Sequence, residues 1–136
     1  MTPCYHLDAN VVLRFLRNDD PRQSPASARL FANAKTGNIR LSICAVIIAE
    51  IFYVLSRVYK FSRADAAGKL IAFVHSDAIE VENRKRVIDS LQRVVKYNVD
   101  FGDSYLASTA AEHGDKVSSF DEDFRAFGDV TTEAPQ

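Results

Sequence analysis

The sequence has little of several features that would point to other classes of protein. Only two cysteines occur in its 136 residues, Cys4 and Cys44, and both lie in apolar surroundings without CxxC spacing. We therefore expect reduced thiols in the core in preference to a disulfide or a metal pair. The histidines His6, His75 and His113 have neither the mutual spacing nor the neighbouring carboxylates of a zinc site or a catalytic triad.

Long apolar runs are also missing. The longest, Ile43 to Leu55, is too short to cross a bilayer comfortably and contains Glu50. The N-terminus lacks a basic segment followed by an apolar one, so we expect a soluble, cytoplasmic protein with no membrane partner. No internal repeat or long linker divides the chain. With 47% hydrophobic residues, it should form a single domain over 1–136, with 132–136 as a frayed tail.

A large net charge is missing too, but the charges are unevenly placed. The formal net charge is -1, yet residues 1–99 carry 15 basic and 9 acidic groups, whereas residues 100–136 carry 2 and 9. This pattern is compatible with an ordinary solvated surface. It also suits a cation site that faces a polyanion, and charge alone does not decide between the two.

Apolar periodicity predicts an alternation of strands and helices. The predicted strands are 4–7, 39–43, 78–81 and 116–120, with a last one near Val130. The first predicted helix begins near Val11, and the others cover 24–34, 46–59, 63–75, 84–95, 103–112 and 121–127. Such alternation implies an α/β fold with a mainly parallel sheet covered on both faces, because parallel strands need crossover connections. Ligands bind beyond the carboxyl ends of such strands.

Four acidic residues occupy positions that this fold would bring together. Asp8 and Asp121 each follow a predicted strand, so both should emerge at the same edge of the sheet. Glu50 is the only charged residue between positions 41 and 55, and a buried lone carboxylate needs a partner. Asp103 opens an alanine-rich helix, three residues after Asp100.

Each acid also has a purely structural interpretation. Asp8, Asp103 and Asp121 could cap helices, with Asp100 and Asp123 as helpers. Glu50 could pair with a buried arginine. Taken together, however, four carboxylates facing one crevice would repel each other without cations. Oxygen ligands without His or Cys select Mg²⁺ or Mn²⁺, and such ions suit the hydrolysis of phosphodiesters.

Four short segments resemble the motifs of PIN-domain nucleases, in the same order and spacing over nearly the whole chain. They are residues 7–13 (LDANVVL), 49–51 (AEI), 100–107 (DFGDSYLA) and 119–124 (SFDEDF). The likeness is greatest to VapC-type toxins.

This resemblance implies a three-layer α/β/α fold and an acidic site made of Asp8, Glu50, Asp103 and Asp121. It further implies a Mg²⁺- or Mn²⁺-dependent endoribonuclease that acts as the toxin of a toxin–antitoxin pair. The expected partners are RNA, a small DNA-binding antitoxin encoded next to it, and a second copy in a homodimer.

The chain departs from the family pattern at Ala9, where many relatives have Thr or Ser, although Asn10 matches. We expect this change to tune activity, because it removes a hydroxyl that could order a metal-bound water. Relatives also differ in which acid of the last motif approaches the metal, which leaves Asp123 as a substitute for Asp121. Ser119 fits as a hydroxyl that supports the ligands.

Basic and aromatic side chains offer weaker signals of RNA binding. Arg84, Lys85, Arg86 and Arg93 make the helix of 84–96 strongly basic, which is typical of phosphate contacts and equally of a solvated helix face. Aromatic side chains near the Glu50 helix could stack on bases or bury antitoxin side chains, but at this spacing core or dimer contacts are the simpler interpretation. They are Phe52, Tyr53, Tyr59 and Phe61.

Three other functions compete with the ribonuclease interpretation. A receiver-like phosphoacceptor domain also uses acids and Mg²⁺, but it would need adjacent acids after the first strand and a Lys after a late strand. Here Glu50 lies within a predicted helix and no such Lys appears. A non-catalytic PIN-fold protein could hold RNA or a partner, although the intact acids argue against this. A DNA-directed nuclease of the same fold differs only in contacts to the 2′-hydroxyl, which one sequence does not reveal.

Overall fold

Strands and helices alternate along the chain. A computed structural model describes residues 2–136. The strands are β1 (Cys4–His6), β2 (Arg40–Ile43), β3 (Ile79–Val81), β4 (Val117–Ser118) and β5 (Thr132–Glu133). The α-helices are α1 (Ala9–Arg17), α2 (Gln23–Lys35), α3 (Ala45–Tyr53), α4 (Arg63–Val74), α5 (Arg84–Tyr97) and α6 (Phe101–His113). A π-helical turn (Val54–Val58) continues α3, and a 3₁₀ helix (Glu122–Ala126) follows β4.

The strands form two parallel sheets. Strands β1, β2 and β3 pair in that order, with Leu41 opposite Tyr5 on one side and Ile79 on the other. Strands β4 and β5 pair as a separate two-stranded sheet, with Val117 opposite Thr132. Helices supply the crossovers that parallel pairing requires. The fold is the expected α/β architecture with three α/β/α layers.

Two apolar clusters hold these elements together. The larger lies between the three-stranded sheet and helices α1 to α6, and its centre includes the fully buried Leu41, Ile48, Leu70 and Leu91. The smaller cluster joins α6 to β4 and the 3₁₀ helix. Its buried members are Val99, Ala107, Ala110, Val117, Phe124 and Phe127. It therefore fixes the acid-rich C-terminal segment against the start and body of α6.

The helix ends follow from local chemistry. Helix α1 begins where Asp8 Oδ1 accepts a hydrogen bond from the Ala9 backbone N–H, at 2.9 Å. Helix α4 begins where Ser62 Oγ accepts from the Asp65 N–H, at 3.0 Å. Helix α6 ends at Gly114, whose φ of 68° is left-handed and suits a residue without a Cβ.

Strand β1 and helix α3 differ from their predicted forms. We predicted a buried first strand over 4–7, but β1 lies at the edge of the three-stranded sheet, so Tyr5 and His6 are exposed. The predicted helix of 46–59 keeps α-helical hydrogen bonding only to Tyr53 and then widens into the π-helical turn. Both differences concern tertiary packing and hydrogen bonding, which local periodicity does not report.

The C-terminal segment also departs from expectation. The predicted strand 116–120 is shortened to Val117–Ser118, and Phe120 is 79% exposed. The prediction that residues 132–136 form a frayed tail is wrong for Thr132 and Glu133, because these residues form β5 and pair with β4. Pairing with a strand 15 residues earlier satisfies their backbone groups.

Two further expectations concerned the cysteine thiols and helices that could span a membrane. Cys4 and Cys44 are both free, as predicted, but each is half-buried and not fully within the core. Within residues 2–136, none of the helices combines the length and the apolar character needed to span a bilayer.

Candidate active site: an acidic cleft beside helix α6

An open cleft of about 580 Å³ lies between the start of α6 and the 3₁₀ helix. Five of its side chains are acidic and one, Arg63, is basic. The lining residues are Arg63, Tyr97, Asn98, Val99, Asp100, Asp103, Asp121, Glu122, Asp123 and Ala126. We call this the acidic cleft. Of the four acids proposed from the sequence, it brings Asp103 and Asp121 together, with Asp123 beside them.

The surroundings of Asp103 raise the pKa of its carboxyl. Asp103 lies half-buried in the first turn of α6. Burial raises the pKa of its carboxyl above the ordinary value, and the negative charges of Asp121, Asp100 and Asp123, in that order, raise the pKa further. The positive charge of Arg63 acts in the opposite direction and lowers it. The free carboxylate of Asp103 is therefore crowded by like charges, a condition that a bound cation would relieve.

Asp121 and Asp123 occupy the loop and the 3₁₀ helix that follow β4. Asp121 Oδ1 accepts a hydrogen bond from the Asp123 backbone N–H at 2.9 Å, so the capping interpretation of Asp121 is correct for this oxygen. The Asp121 N–H in turn donates to Ser119 Oγ at 2.9 Å. Ser119 thus shapes the loop that carries Asp121, while the second carboxylate oxygen of Asp121 is left out of the cap.

Asp100 stands at the N-cap position of α6 but its side chain does not cap the helix. Its Oδ2 accepts from Arg57 Nη2 at 2.9 Å, and its Oδ1 accepts from Arg63 Nε at 3.1 Å. Arg63 Nη1 also donates to the Asn98 backbone carbonyl, at 3.0 Å. Neither arginine stands out in the sequence as a site residue. Their partners lie 35 to 43 residues away, so no local pattern could reveal them.

Asp8 and Glu50 do not line the acidic cleft. Asp8 is exposed and uses Oδ1 to cap α1. The expectation that Glu50 is buried is wrong, because Glu50 lies on the exposed side of α3 while Ile48 and Ile51 face the core. Helix α3 packs against both α1 and α6, so it is the element that lies between Asp8 and Asp103. Asn10, also proposed from the sequence, is exposed in the first turn of α1.

The side chains of the acidic cleft are of the type that binds divalent cations, but they lie too far apart to hold one together. Its carboxylate oxygens are the hard ligands that Mg²⁺ and Mn²⁺ prefer, and none of the described residues that line it is a His or Cys. Within residues 2–136, however, no three Asp, Glu, His or Cys side chains are grouped closely enough to hold one ion. Binding would thus require the carboxylates to move closer together than they lie here. A cation favours this movement because it offsets their mutual repulsion.

The basic face of α5 is smaller than the sequence suggested. Arg93 is buried and holds Asp129 with two hydrogen bonds of 2.8 and 2.5 Å, while its Nε donates to Asp89. Arg84 donates to the Val74 and Ile79 backbone carbonyls.

The rest of that face is also partly committed. Arg86 pairs with Glu112 at 3.0 Å. These internal contacts correct the expectation of a free basic helix face, since three of the four guanidinium or ammonium groups are engaged. Lys85 is exposed, and its contact with RNA stays a prediction.

The four aromatic residues near Glu50 fall into different environments. Phe52 is buried and belongs to the core, as the simpler interpretation held. Tyr59 and Phe61 are half-buried, and the Arg17 guanidinium lies over both rings, 4.2 Å from the centre of the Tyr59 ring. Tyr53 is 58% exposed on α3. Of these four aromatic side chains, Tyr53 is therefore the one that is mostly exposed.

The three-layer fold and the acidic cleft define an α/β protein of the kind that can place carboxylates around a metal-dependent phosphodiester site. The sequence matches the model of the PIN domain over residues 5–130, which is nearly the whole chain. The chain belongs to the PIN domain family. PIN domains are generally nucleases, often metal-dependent. No curated protein matches the chain.

Proposed function

We propose that this PIN domain is a metal-dependent endoribonuclease and the toxin of a toxin–antitoxin pair. The observation that carries the proposal is the acidic cleft, in which Asp103 has a raised pKa because it is partly buried beside other carboxylates. Perturbed carboxyls grouped in a cleft are typical of sites that bind cations or perform catalysis. Membership of the PIN family supports hydrolysis of nucleic acid; RNA as the substrate rests on the likeness to VapC-type toxins.

The residues of the acidic cleft divide the work in this proposal. Asp103 would hold the cation, with the uncommitted oxygen of Asp121 and the carboxylate of Asp123 as further ligands. Asp8 and Glu50 would complete the set from α1 and α3 if their side chains turn toward the cleft. A bound Mg²⁺ or Mn²⁺ would lower the pKa of a water ligand and offset charge on the phosphate. Ser119 keeps the Asp121 loop in place through its hydroxyl.

Cleavage of labelled single-stranded RNA tests this function. The purified protein is incubated with Mg²⁺, Mn²⁺ or EDTA, beside Asp103→Asn and Asp65→Asn prepared identically. Asp65 is the matched control because it is the third residue of α4, as Asp103 is of α6, and it lies outside the acidic cleft. We expect EDTA to stop cleavage, Asp103→Asn to lose at least about 100-fold, and Asp65→Asn to retain it.

Two outcomes would contradict the proposal. Equal cutting by the wild type and Asp103→Asn would place any nuclease activity outside the acidic cleft. Metal and RNA binding without cutting, across diverse RNAs, would favour the second candidate, a non-catalytic PIN-fold binding protein. The wide spacing of the acids favours that candidate, since no closed ligand set forms within residues 2–136.

The partners and location belong to the same proposal. A homodimer would cover exposed apolar side chains, among which Val46 (75% exposed) and Tyr53 lie one heptad apart on α3. A small DNA-binding antitoxin encoded next to this chain, and a cytoplasmic location, follow from the toxin assignment alone. Light scattering of the purified protein would test the dimer, and co-purification with the product of the neighbouring gene would test the antitoxin.

A further inference from the structure

Arg63 is the one basic side chain among the described residues that line the acidic cleft. It begins α4, directly after the N-cap Ser62, and is half-buried. Its position is fixed from one side, because Nε donates to Asp100 Oδ1 and Nη1 donates to the Asn98 carbonyl. Within residues 2–136, its third nitrogen, Nη2, makes no hydrogen bond, and 38% of the Arg63 side chain is exposed. A guanidinium held in this way presents a prepositioned donor.

The charges around Arg63 leave its positive charge only partly neutralised. Asp100 shares its single negative charge between Arg57 and Arg63, one carboxylate oxygen for each. The cluster of these three side chains therefore has a net charge of +1. Beside it lie Asp103 and Asp121, which bind the cation in the proposed function. Of this cluster, Arg63 and Asp100 line the acidic cleft and Arg57 does not, so one rim carries a basic donor while the other is acidic.

We propose that Arg63 binds a phosphate of the nucleic-acid strand beside the scissile bond, through Nη2, and so seats the strand in the acidic cleft. This inference rests on the proposed function. Once cations offset the carboxylates, a phosphodiester can enter, and a guanidinium is the side chain best suited to bind its oxygens. Arg63 can make this contact without releasing Asp100 or Asn98, because the nitrogens it uses for them are different ones. The strand is recognised here by phosphate and not by base or sugar.

Arg57 provides a closely matched control. It donates to the same Asp100 carboxylate, at a similar distance, but lines a different cavity on the other side of that residue. Replacing either arginine with glutamine removes one ion pair to Asp100 and one positive charge. Arg63→Gln also removes the hydrogen bond to the Asn98 carbonyl and a donor from the acidic cleft. A purely structural role for Arg63 predicts that its loss lowers the free energy of unfolding but leaves the salt dependence of RNA binding the same in the two variants.

The experiment measures the binding of a fluorescein-labelled single-stranded RNA by anisotropy, with Ca²⁺ in place of Mg²⁺ and gels to show that the RNA stays intact. A DNA strand of the same sequence is a second probe. The wild type, Arg57→Gln and Arg63→Gln are compared over a range of salt concentrations, after urea unfolding has measured the stability of each variant. Cleavage with Mn²⁺ then gives KM and kcat for the same three proteins.

We expect Arg63→Gln to weaken binding of both strands by roughly tenfold, and to reduce the slope of log affinity against log salt by about 0.7. KM should rise more than kcat falls, and Arg57→Gln should match the wild type. Equal losses in the two variants, no loss in either, a loss confined to RNA, or no binding by the wild type would each overturn the phosphate contact. Failure of the nuclease function is recognised separately: the wild type would then bind the strand and leave it uncut.

Discussion

Replacing Asp103 with asparagine should cost the metal-free protein less stability than the same change at an ordinary helix acid does. An acid in the first turn of a helix interacts favourably with the helix dipole, by about 0.3–1 kcal/mol. Asp65→Asn loses this interaction and should be destabilised by that amount. Asp103→Asn loses the same interaction but also relieves the burial and the like charges that raise the pKa of Asp103.

The size of that relief can be bounded from the structure. Asp103 is half-buried, Asp121 and Asp123 are exposed, and two arginines offset the charge of Asp100, so the surface value for like charges applies, on the order of 0.5–1 kcal/mol. The loss and the relief then nearly cancel. Asp103→Asn should be about as stable as the wild type and about 0.5–1 kcal/mol more stable than Asp65→Asn. For a domain of this size the difference corresponds to roughly 2–4 °C in Tm.

The assay is urea and thermal unfolding of the wild type and both variants in EDTA at low salt, over a range of pH. A raised pKa means that the folded state binds the Asp103 proton more tightly than the unfolded state does. The penalty is therefore absent below the ordinary pKa of 3.8 and develops as pH rises through the raised pKa. Asp103→Asn should gain on the wild type over that interval. If Asp103→Asn were as destabilised as Asp65→Asn at neutral pH, the carboxylates of the acidic cleft would not be crowded.

Two further predictions follow from other contacts. Asp129→Ala should lower the free energy of unfolding by about 1–2 kcal/mol, because it leaves the buried Arg93 with only Asp89. The control is Asp115→Ala, which removes an exposed acid and should change the free energy of unfolding by less than about 0.5 kcal/mol. A similar cost for both variants in urea unfolding would contradict the stabilising role of the Arg93–Asp129 pair. Gly114→Ala should cost about 1 kcal/mol in the same measurement, purely from the left-handed φ of 68°, since a Cβ there meets no atom within 4 Å. No change on this substitution would mean that α6 ends differently.

The order and type of the elements could be predicted because each apolar segment keeps its period. Helices α2, α4 and α5 begin and end within about two residues of their predicted bounds. Glu50 shows where apolar periodicity misleads about burial. Val46, Glu50 and Tyr53 form the exposed stripe of α3, but two of the three are apolar, so the helix looked buried on every side. An exposed apolar residue hides the amphipathic pattern on which burial is predicted.

The candidate site was predictable only in part, for a related reason. Acids next to strand ends and helix starts can be found from the sequence, and Asp103, Asp121 and Asp123 do line one cleft. The sharing of Asp100 by two arginines and the commitment of Arg93 to Asp129 depend on side chains more than 35 residues apart. A basic run such as 84–86 also gives no sign of which charges are already paired within the protein.

Locating Mn²⁺ in crystals of the protein from its anomalous scattering would show whether the acidic cleft holds a divalent cation. We expect Mn²⁺ bound by Asp103 together with Asp121 or Asp123, and with Asp8 or Glu50 turned toward it. An acidic cleft that stays empty at Mn²⁺ concentrations sufficient for RNA cleavage, or Mn²⁺ bound only at another group of acids, would refute cation binding by these residues.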